Sequence, residues 1–295
     1  MLKTALCSAL VAVATLQSTA PEFVELDVVA VDRNGLVVRD LSGQDLQVKD
    51  GGKPVKIETF TAVAARGILD EERSVVLLMD DVGVPTSGTS PMQQIGRVLL
   101  SPMHPLDEVA VVRLSRPRDE AYGDAESARE RLEQYRGGTI AFSSVETPVT
   151  VLETVVRIVG QLQPIEHRRK AVVCLGVPAV CDVREPVASS TDEYREAWGA
   201  AMSSAARANV AVYEVDPRGL TPAPAASGIG LIRMTGGDVL RNSNDFSEAA
   251  ARIWREASVY YLLGYWGEPS AAGHLRAIDT RTTRRGVDVR ARRFR

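Results

Sequence analysis

The sequence has few of the residues and none of the motifs on which common hydrolases depend. Its 295 residues include only three histidines, His104, His167 and His274, and none of them lies in an HExxH pattern. It also contains no G-x-S-x-G motif and no glycine-rich loop followed by a phosphate-binding lysine. These absences argue against an enzyme and favour a protein that acts by binding.

The sequence also lacks an excess of either charge. It has 35 lysines and arginines against 38 aspartates and glutamates, a formal net charge of -3. This balance offers no electrostatic reason to expect a nucleic acid or an anionic membrane as partner. The arginine-rich segment 284–295 is the local exception, and its alternating pattern is typical of a solvent-exposed strand end.

No apolar run at the N-terminus is long enough to span a bilayer. Residues 5–16 form a short apolar segment after Lys3, and residues 18–20 are small, as at a signal-peptidase site. The pattern predicts a signal peptide over residues 1–20, export to the periplasm or beyond, and no membrane span in the mature chain. An uncleaved N-terminal anchor is the alternative interpretation.

Cysteine is scarce, and export would remove Cys7 with the signal peptide. Cys174 and Cys181 would then remain in an oxidising compartment, where two nearby cysteines are disulfide candidates. The alternative is that Cys174, which lies in the apolar run AVVCL, is simply a buried strand residue. The spacing alone leaves both possibilities open.

Hydrophobic periodicity divides the rest of the chain into three parts. Residues 21–66 alternate apolar and polar positions around tight turns, which predicts an N-terminal β segment. Residues 73–257 alternate continuous apolar runs with stretches of helical spacing, which predicts an α/β domain. Residues 258–295 return to a β pattern, and we expect them to pack with the N-terminal segment.

The predicted fold is therefore α/β, with a doubly wound and mostly parallel sheet of the Rossmann-like kind. A small β module formed from both chain ends is expected to flank it. The apolar runs at residues 75–79, 109–114, 171–175 and 210–215 are the predicted central strands.

Five segments, in this order and spacing, resemble the VWFA-related domain family described from acidobacterial proteins. They are GQDLQVKDGGKPVKIETF, RRKAVVCL, ANVAVYEVDPRGL, TGGDVLRN and YYLLGYWGEP. The resemblance covers nearly the whole predicted mature chain. It implies a von Willebrand factor A-type core with β segments at its ends, and it implies no established biochemical activity.

The resemblance also implies where a metal-dependent adhesion site would lie. Such sites hold Mg²⁺ with a D-x-S-x-S motif after the first strand, a threonine and a further aspartate. Asp80 and Thr139 match the first aspartate and the threonine. Val82 and Val84 replace the two serines, and Val177 replaces the last aspartate. Two ligands would bind a cation weakly, because Mg²⁺ gives up its water shell reluctantly.

Three other acids could rebuild the ligand set, namely Asp81, Asp182 and Asp216. The alternative interpretation is that they cap loops and form turns, as aspartate commonly does. The sequence thus supports two functions. The first is an exported, non-enzymatic protein-binding or scaffold protein with a degenerate metal site and no cofactor. The second is an Mg²⁺-dependent adhesion or envelope assembly factor that uses substitute acidic ligands.

Overall fold

The computed structural model describes residues 20–64, 73–116, 122–138, 146–165, 169–221, 230–270 and 275–295. The predicted signal peptide lies outside these residues except for Ala20. The strands are β1 (Glu22–Asp32), β2 (Leu46–Asp50), β3 (Lys53–Val55), β4 (Ile57–Ala64), β5 (Arg73–Met79), β6 (Glu108–Arg113), β7 (Tyr122–Gly123), β8 (Arg169–Leu175), β9 (Val210–Val215), β10 (Val239–Leu240), β11 (Val259–Gly267), β12 (Ile278–Thr282) and β13 (Val287–Ala291).

The helices of the described residues lie between β5 and β11. They are α1 (Thr89–Leu100), α2 (Ala125–Glu133), α3 (Glu146–Leu162), α4 (Pro178–Cys181), α5 (Asp192–Ala208), α6 (Leu231–Met234) and α7 (Phe246–Ser258). Short 3-10 turns precede β2 and α1. Within the described part of the chain, no helix combines the length and the apolar character that a membrane crossing needs.

The central sheet has the strand order β10-β9-β8-β5-β6-β7. Its first five strands in this order are parallel, and β7 is antiparallel to β6. All seven residues of β5 are buried, because helices cover both faces of the sheet. Helices α3 and α5 pack on the face that carries Val76 and Leu78, and α1, α2 and α7 pack on the face of Val75 and Leu77. This explains the continuous apolar runs.

Local sequence signals set the ends of several helices. Asp124 accepts a hydrogen bond from the Ser127 backbone N–H and caps α2, and Asp245 caps α7 in the same way through Glu248. Helix α5 ends at Asn209, whose φ of 52° lies in the left-handed region that asparagine tolerates better than most residues. These caps fix the register at which each helix meets the sheet.

Strands from the two ends of the described chain pair with each other beside the α/β sheet. A four-stranded sheet has the order β13-β1-β11-β4, and a three-stranded sheet has the order β12-β2-β3. Leu26 of β1 lies opposite Leu263 of β11, and Val48 of β2 lies opposite Thr280 of β12. The two sheets enclose their own apolar cluster. Within the predicted N-terminal β segment, residues 36–38 contribute a single bridge, between Val37 and Val31, to the part of the chain that the structure describes.

Buried ion pairs join this β unit to the α/β sheet. Arg169 at the start of β8 binds Asp27 of β1, and both side chains are at most 8% exposed. Arg290 of β13 binds Glu256 of α7, which is fully buried, and also Asp238 at 2.9 Å. Because a charge left unpaired in such surroundings is costly, these contacts hold the β unit in a defined orientation.

Candidate functional site

The order of the parallel strands defines one natural binding position. From β5, the sheet continues to β6 on one side, whereas β8, β9 and β10 follow on the other side. In open α/β sheets, the crevice beyond the carboxyl ends of the strands at such a reversal is the usual ligand position. Asp80 follows β5 and Gly176 follows β8, so these two residues lie at this position.

The Asp80 carboxylate is held by three backbone N–H groups. Its Oδ1 atom accepts from Val82 at 3.1 Å and from Gly83 at 2.6 Å, and its Oδ2 atom accepts from Val177 at 3.1 Å. The Asp80 carbonyl oxygen accepts a further hydrogen bond from the Tyr135 hydroxyl at 2.7 Å. Both carboxylate oxygens therefore serve to fasten the two loops that follow β5 and β8.

The same carboxylate is covered as well as hydrogen-bonded. Asp80 is only 1% exposed. A Cβ atom at Gly83 would lie 2.7 Å from a Val177 methyl group, 2.8 Å from Asp80 Oδ2 and 2.8 Å from a Val180 methyl group. The pKa of Asp80 is raised, chiefly by burial, although its three backbone hydrogen bonds act in the opposite direction. A ligand could reach this carboxylate only by displacing the covering residues.

Asp81 turns away from Asp80 and fastens a different loop. Its carboxylate accepts hydrogen bonds from the Ser115 backbone N–H at 2.9 Å and from the Ser115 hydroxyl. Ser115 lies after β6, so Asp81 ties the carboxyl ends of β5 and β6 together. Asp81 is fully buried.

The loop before Thr139 lies against the loop that follows Asp80. Gly137 donates its backbone N–H to the Thr89 hydroxyl at 3.0 Å and accepts from the Thr86 hydroxyl at 3.3 Å. Gly138 has a φ of 66°, which favours glycine. Thr139 itself lies outside the described residues. Thr86 and Thr89 are hydroxyl residues of this region that the sequence motif did not single out.

Asp182 belongs to a second, separate cluster beyond β8 and β9. Arg241 lies 3.2 Å from Asp182 and 2.6 Å from Glu214, a fully buried residue of β9. Burial raises the pKa of Glu214, although its hydrogen bond with Arg241 lowers it. Arg184 makes a longer contact with Asp182 at 3.5 Å. Two arginines thus pair with two carboxylates in this cluster, which the spacing of these residues in the sequence did not predict.

Asp216 is also occupied by a neighbouring arginine. It accepts from the backbone N–H of Arg218 at 3.0 Å and from its side chain at 3.0 and 2.8 Å. Such an aspartate, bonded to the residue two positions later, stabilises a turn. The contacts of Asp81, Asp182 and Asp216 are thus to loops and arginines. Among the residues that the structure describes, no group of three or more His, Cys, Asp or Glu side chains is arranged to hold a metal ion.

A disulfide joins Cys174 and Cys181 beside the Asp80 loop. Their Cα atoms are 5.9 Å apart, and the two residues are 4% and 2% exposed. The bridge connects the end of β8 to the single turn of α4. It therefore holds the segment that contains Val177, whose backbone N–H reaches Asp80.

Apolar side chains are exposed on the loops around this closed position. Val187 and Leu220 are 65% and 64% exposed, and they follow α4 and β9, respectively. Val82 and Val177 are half-buried, and Pro85 is exposed. We call these five residues the apolar rim. These five residues lie on the loops that follow β5, β8 and β9, at the carboxyl edge of the sheet.

The chain matches no family model and no curated protein. It is similar to several solved structures, of which two illustrate the level of similarity. One is an aerotolerance-related membrane protein from Bacteroides fragilis NCTC 9343 with multiple mutations to serines, at 15% identity and a TM-score of 0.41, covering 63% of this chain and 98% of that chain. The other is the conserved hypothetical protein BatB from Bacteroides thetaiotaomicron, at 14% identity and a TM-score of 0.39, covering 62% and 96%. Similarities at this level carry no functional information.

Proposed function

We propose that this chain is an exported, non-enzymatic protein of the von Willebrand A type that binds a protein partner through the apolar rim without a bound cation. The observation that carries the proposal is the closure of Asp80. Three backbone N–H groups use its carboxylate, and Gly83, Val177 and Val180 cover it. The position where a cation would be expected is used to fasten loops.

The residues around Asp80 do not suit a hard cation. Mg²⁺ prefers octahedral coordination by oxygen atoms and keeps several of its waters. Val82 and Val84 bring methyl groups to the loop, and Val84 is 4% exposed because it packs in the apolar cluster beneath. Opening Asp80 to a cation would also leave three backbone donors without their acceptor, which costs free energy.

The alternative, an Mg²⁺-dependent adhesion or assembly factor, would need substitute acids. Asp182 and Asp216 are each paired with arginine, and Asp81 is bonded to Ser115. A cation would have to compete with these existing contacts, and the ion pairs would also have to rearrange. The geometry therefore favours cation-independent binding by the apolar rim.

Export is the remaining part of the proposal, and it rests on the N-terminal sequence pattern. Apolar residues 5–16 after Lys3 and the small residues 18–20 support a cleaved signal peptide. Mass spectrometry of the protein from its native host should find a mature N-terminus close to Pro21. An intact N-terminus in a cytoplasmic fraction would contradict export.

Calorimetric titration with Mg²⁺ and Mn²⁺ tests the absence of a cation. We expect no binding at sub-millimolar concentrations, either by the natural protein or by the variant Asp80→Asn. Sub-millimolar binding that disappears in the variant would favour the metal-dependent alternative. This experiment needs no knowledge of the partner.

Co-purification from the native envelope fraction tests the surface. The double variant Val187→Asp with Leu220→Asp should lose its specific partner, and a chelator should not change partner capture by the natural protein. Leu106→Asp is the matched control, because Leu106 is 49% exposed but precedes β6 at the opposite end of the sheet. Equal loss in the control, or no loss in the double variant, would contradict binding by the apolar rim.

A further inference from the structure

The two sheets of the β unit have four edge strands, and these edges differ in how they are protected. Natural proteins place charges, prolines or bulges on edge strands to prevent pairing with another chain. Strands β3, β12 and β13 carry such residues, namely Lys53 and Pro54, Asp279 and Arg281, and Asp288 and Arg290. The fourth edge strand, β4, carries only one charged residue, Glu58, near its beginning.

Strand β4 has an unprotected edge over most of its length. In the described part of the chain it pairs with β11 alone. A bulge at Glu58 interrupts the pairing between Ile57 and Thr59, and regular pairing continues from Thr59 to Ala64. This regular stretch has no charged residue and no proline, and Thr59, Thr61 and Ala62 are exposed. As far as the described residues show, its outer edge therefore offers unpaired backbone donors and acceptors to another strand.

The apolar core beside β4 is partly open at Phe60. A groove of about 550 Å³ runs between β4 and the hairpin of β2 and β3. Leu46, Val48 and Phe60 are among its lining residues. Phe60 stacks on Tyr261 with ring centroids 5.4 Å apart, yet Phe60 is only half-buried. A strand added to β4 would cover this ring, because alternate side chains of the added strand would point into the groove.

We propose that the partner of this edge is a second copy of the chain, with the two β4 strands antiparallel across a twofold axis at Thr61. A twofold axis perpendicular to the sheet pairs residues that are equidistant from the axis. Because successive residues of a strand face opposite sides of the sheet, neighbouring pairs alternate between the two faces. Thr61 then lies opposite Thr61 of the second copy. Thr59 lies opposite Val63, and Phe60 lies opposite Ala62.

The sequence of β4 is complementary to itself in this register. Pairs of threonine with threonine and of threonine with valine are favourable across strands. The small side chain of Ala62 leaves space for the ring of Phe60 in the other copy. A twofold axis at Phe60 would instead bring Glu58, the bulged residue, opposite Ala62. The axis at Thr61 keeps both bulges at the margins of the paired stretch.

Charge does not oppose this association. The residues on either side of the axis, from Thr59 to Val63, are all uncharged, so no like charges meet across it. Lys56 and Glu58 lie outside this stretch and form an ion pair at 3.0 Å within each copy. The pairing is short compared with stable interfaces, which bury about 1,200–2,000 Å². The dimer should therefore be weak and concentration-dependent, with a dissociation constant of about 10–100 μM.

Sedimentation velocity of the purified protein over a concentration series tests the dimer. We expect a monomer–dimer equilibrium that Thr61→Lys abolishes, since lysine at the axis brings two positive charges together. Asp288→Lys is the matched control, because it places a lysine on the edge strand β13 and should leave the equilibrium unchanged. Circular dichroism should show that both variants fold. A natural protein that stays monomeric up to about 1 mM would overturn the proposal, as would a dimer that persists in Thr61→Lys.

Cysteine crosslinking tests the register. Directly opposed residues in an antiparallel pair have Cα atoms about 4.5–5.5 Å apart, which is within disulfide range. In a Cys7→Ser background, Thr61→Cys should form a covalent dimer on mild oxidation, whereas Asp288→Cys should remain monomeric. The other two native cysteines, Cys174 and Cys181, are buried and bonded to each other, so they should not interfere. Crosslinking of both variants to the same extent, or of neither, would overturn the proposed pairing.

Discussion

Replacing Asp80 with alanine should destabilise the fold even though Asp80 lies at the edge of the sheet. The substitution removes the acceptor of three backbone N–H groups, those of Val82, Gly83 and Val177. A buried donor left without a partner costs about 1–3 kcal/mol. Gly83 is exposed and Val177 is half-buried, so water can replace part of this loss. We therefore expect a decrease of about 2–4 kcal/mol in the free energy of unfolding.

Urea unfolding followed by circular dichroism measures this decrease. Asp80→Asn should lose less than Asp80→Ala, about 1–2 kcal/mol, because asparagine keeps one oxygen that accepts hydrogen bonds. Asp279→Ala is the matched control. Asp279 is an exposed aspartate on β12 that pairs with the exposed Arg281, and its removal should change the stability by less than about 0.5 kcal/mol.

The relative order of the three variants is the decisive result. If Asp80→Ala were as stable as Asp279→Ala, the Asp80 carboxylate would not be fastening the loops after β5 and β8. The closure on which the proposed function rests would then be wrong. If Mg²⁺ raised the stability of the natural protein but not that of Asp80→Ala, a cation would be using the same carboxylate.

Three further predictions concern other buried groups. The double variant Cys174→Ala with Cys181→Ala should lose about 2.5 kcal/mol of unfolding free energy, as expected for a disulfide that closes a short loop. In the natural protein, the peptide that spans both cysteines should have a mass two hydrogens lower than the same peptide after reduction. Arg169→Met should cost about 3–5 kcal/mol because Asp27 would remain buried without its ion-pair partner Arg169, and adding Asp27→Leu should recover most of that loss in the same urea assay. Finally, because burial raises the pKa of Asp80 above 3.8, the folded state binds this proton more tightly than the unfolded chain does. The natural protein should therefore gain stability relative to Asp80→Asn as the pH falls through the pKa of Asp80 in the folded state towards 3.8. A relative loss of stability over this range would contradict a raised pKa.

The central strands could be predicted from the sequence because their burial is a local property. A strand covered by helices on both faces must be apolar at successive positions, and VVLLM of β5 is. The contact between α1 and α2 could not be predicted, because it depends on tertiary packing. A Cβ atom at Gly96 of α1 would lie 2.5 Å from Leu132 of α2, and no local pattern shows which helix lies there.

The burial of the arginines near the C-terminus also could not be predicted from the sequence. The pattern of residues 284–295 predicts a solvent-exposed strand end, yet the Arg290 and Arg295 side chains are 15% and 6% exposed. Their partners, Glu256 and Asp50, are distant in sequence. Long-range ion pairs depend on which strands become neighbours. The local sequence pattern therefore predicts that such arginines are exposed to solvent.

The surroundings of Asp80 could be predicted from the sequence only in part. The absence of side-chain oxygen atoms at Val82, Val84 and Val177 is visible in the sequence, because it concerns side chains. The closure of the carboxylate is not visible, because the donors are backbone N–H groups that almost every residue has. Val84 is also part of the apolar cluster beneath the loop, so a serine there would lose packing as well as add a hydroxyl. A serine at this position would therefore cost stability, because Val84 contributes to the packing beneath the loop that follows β5.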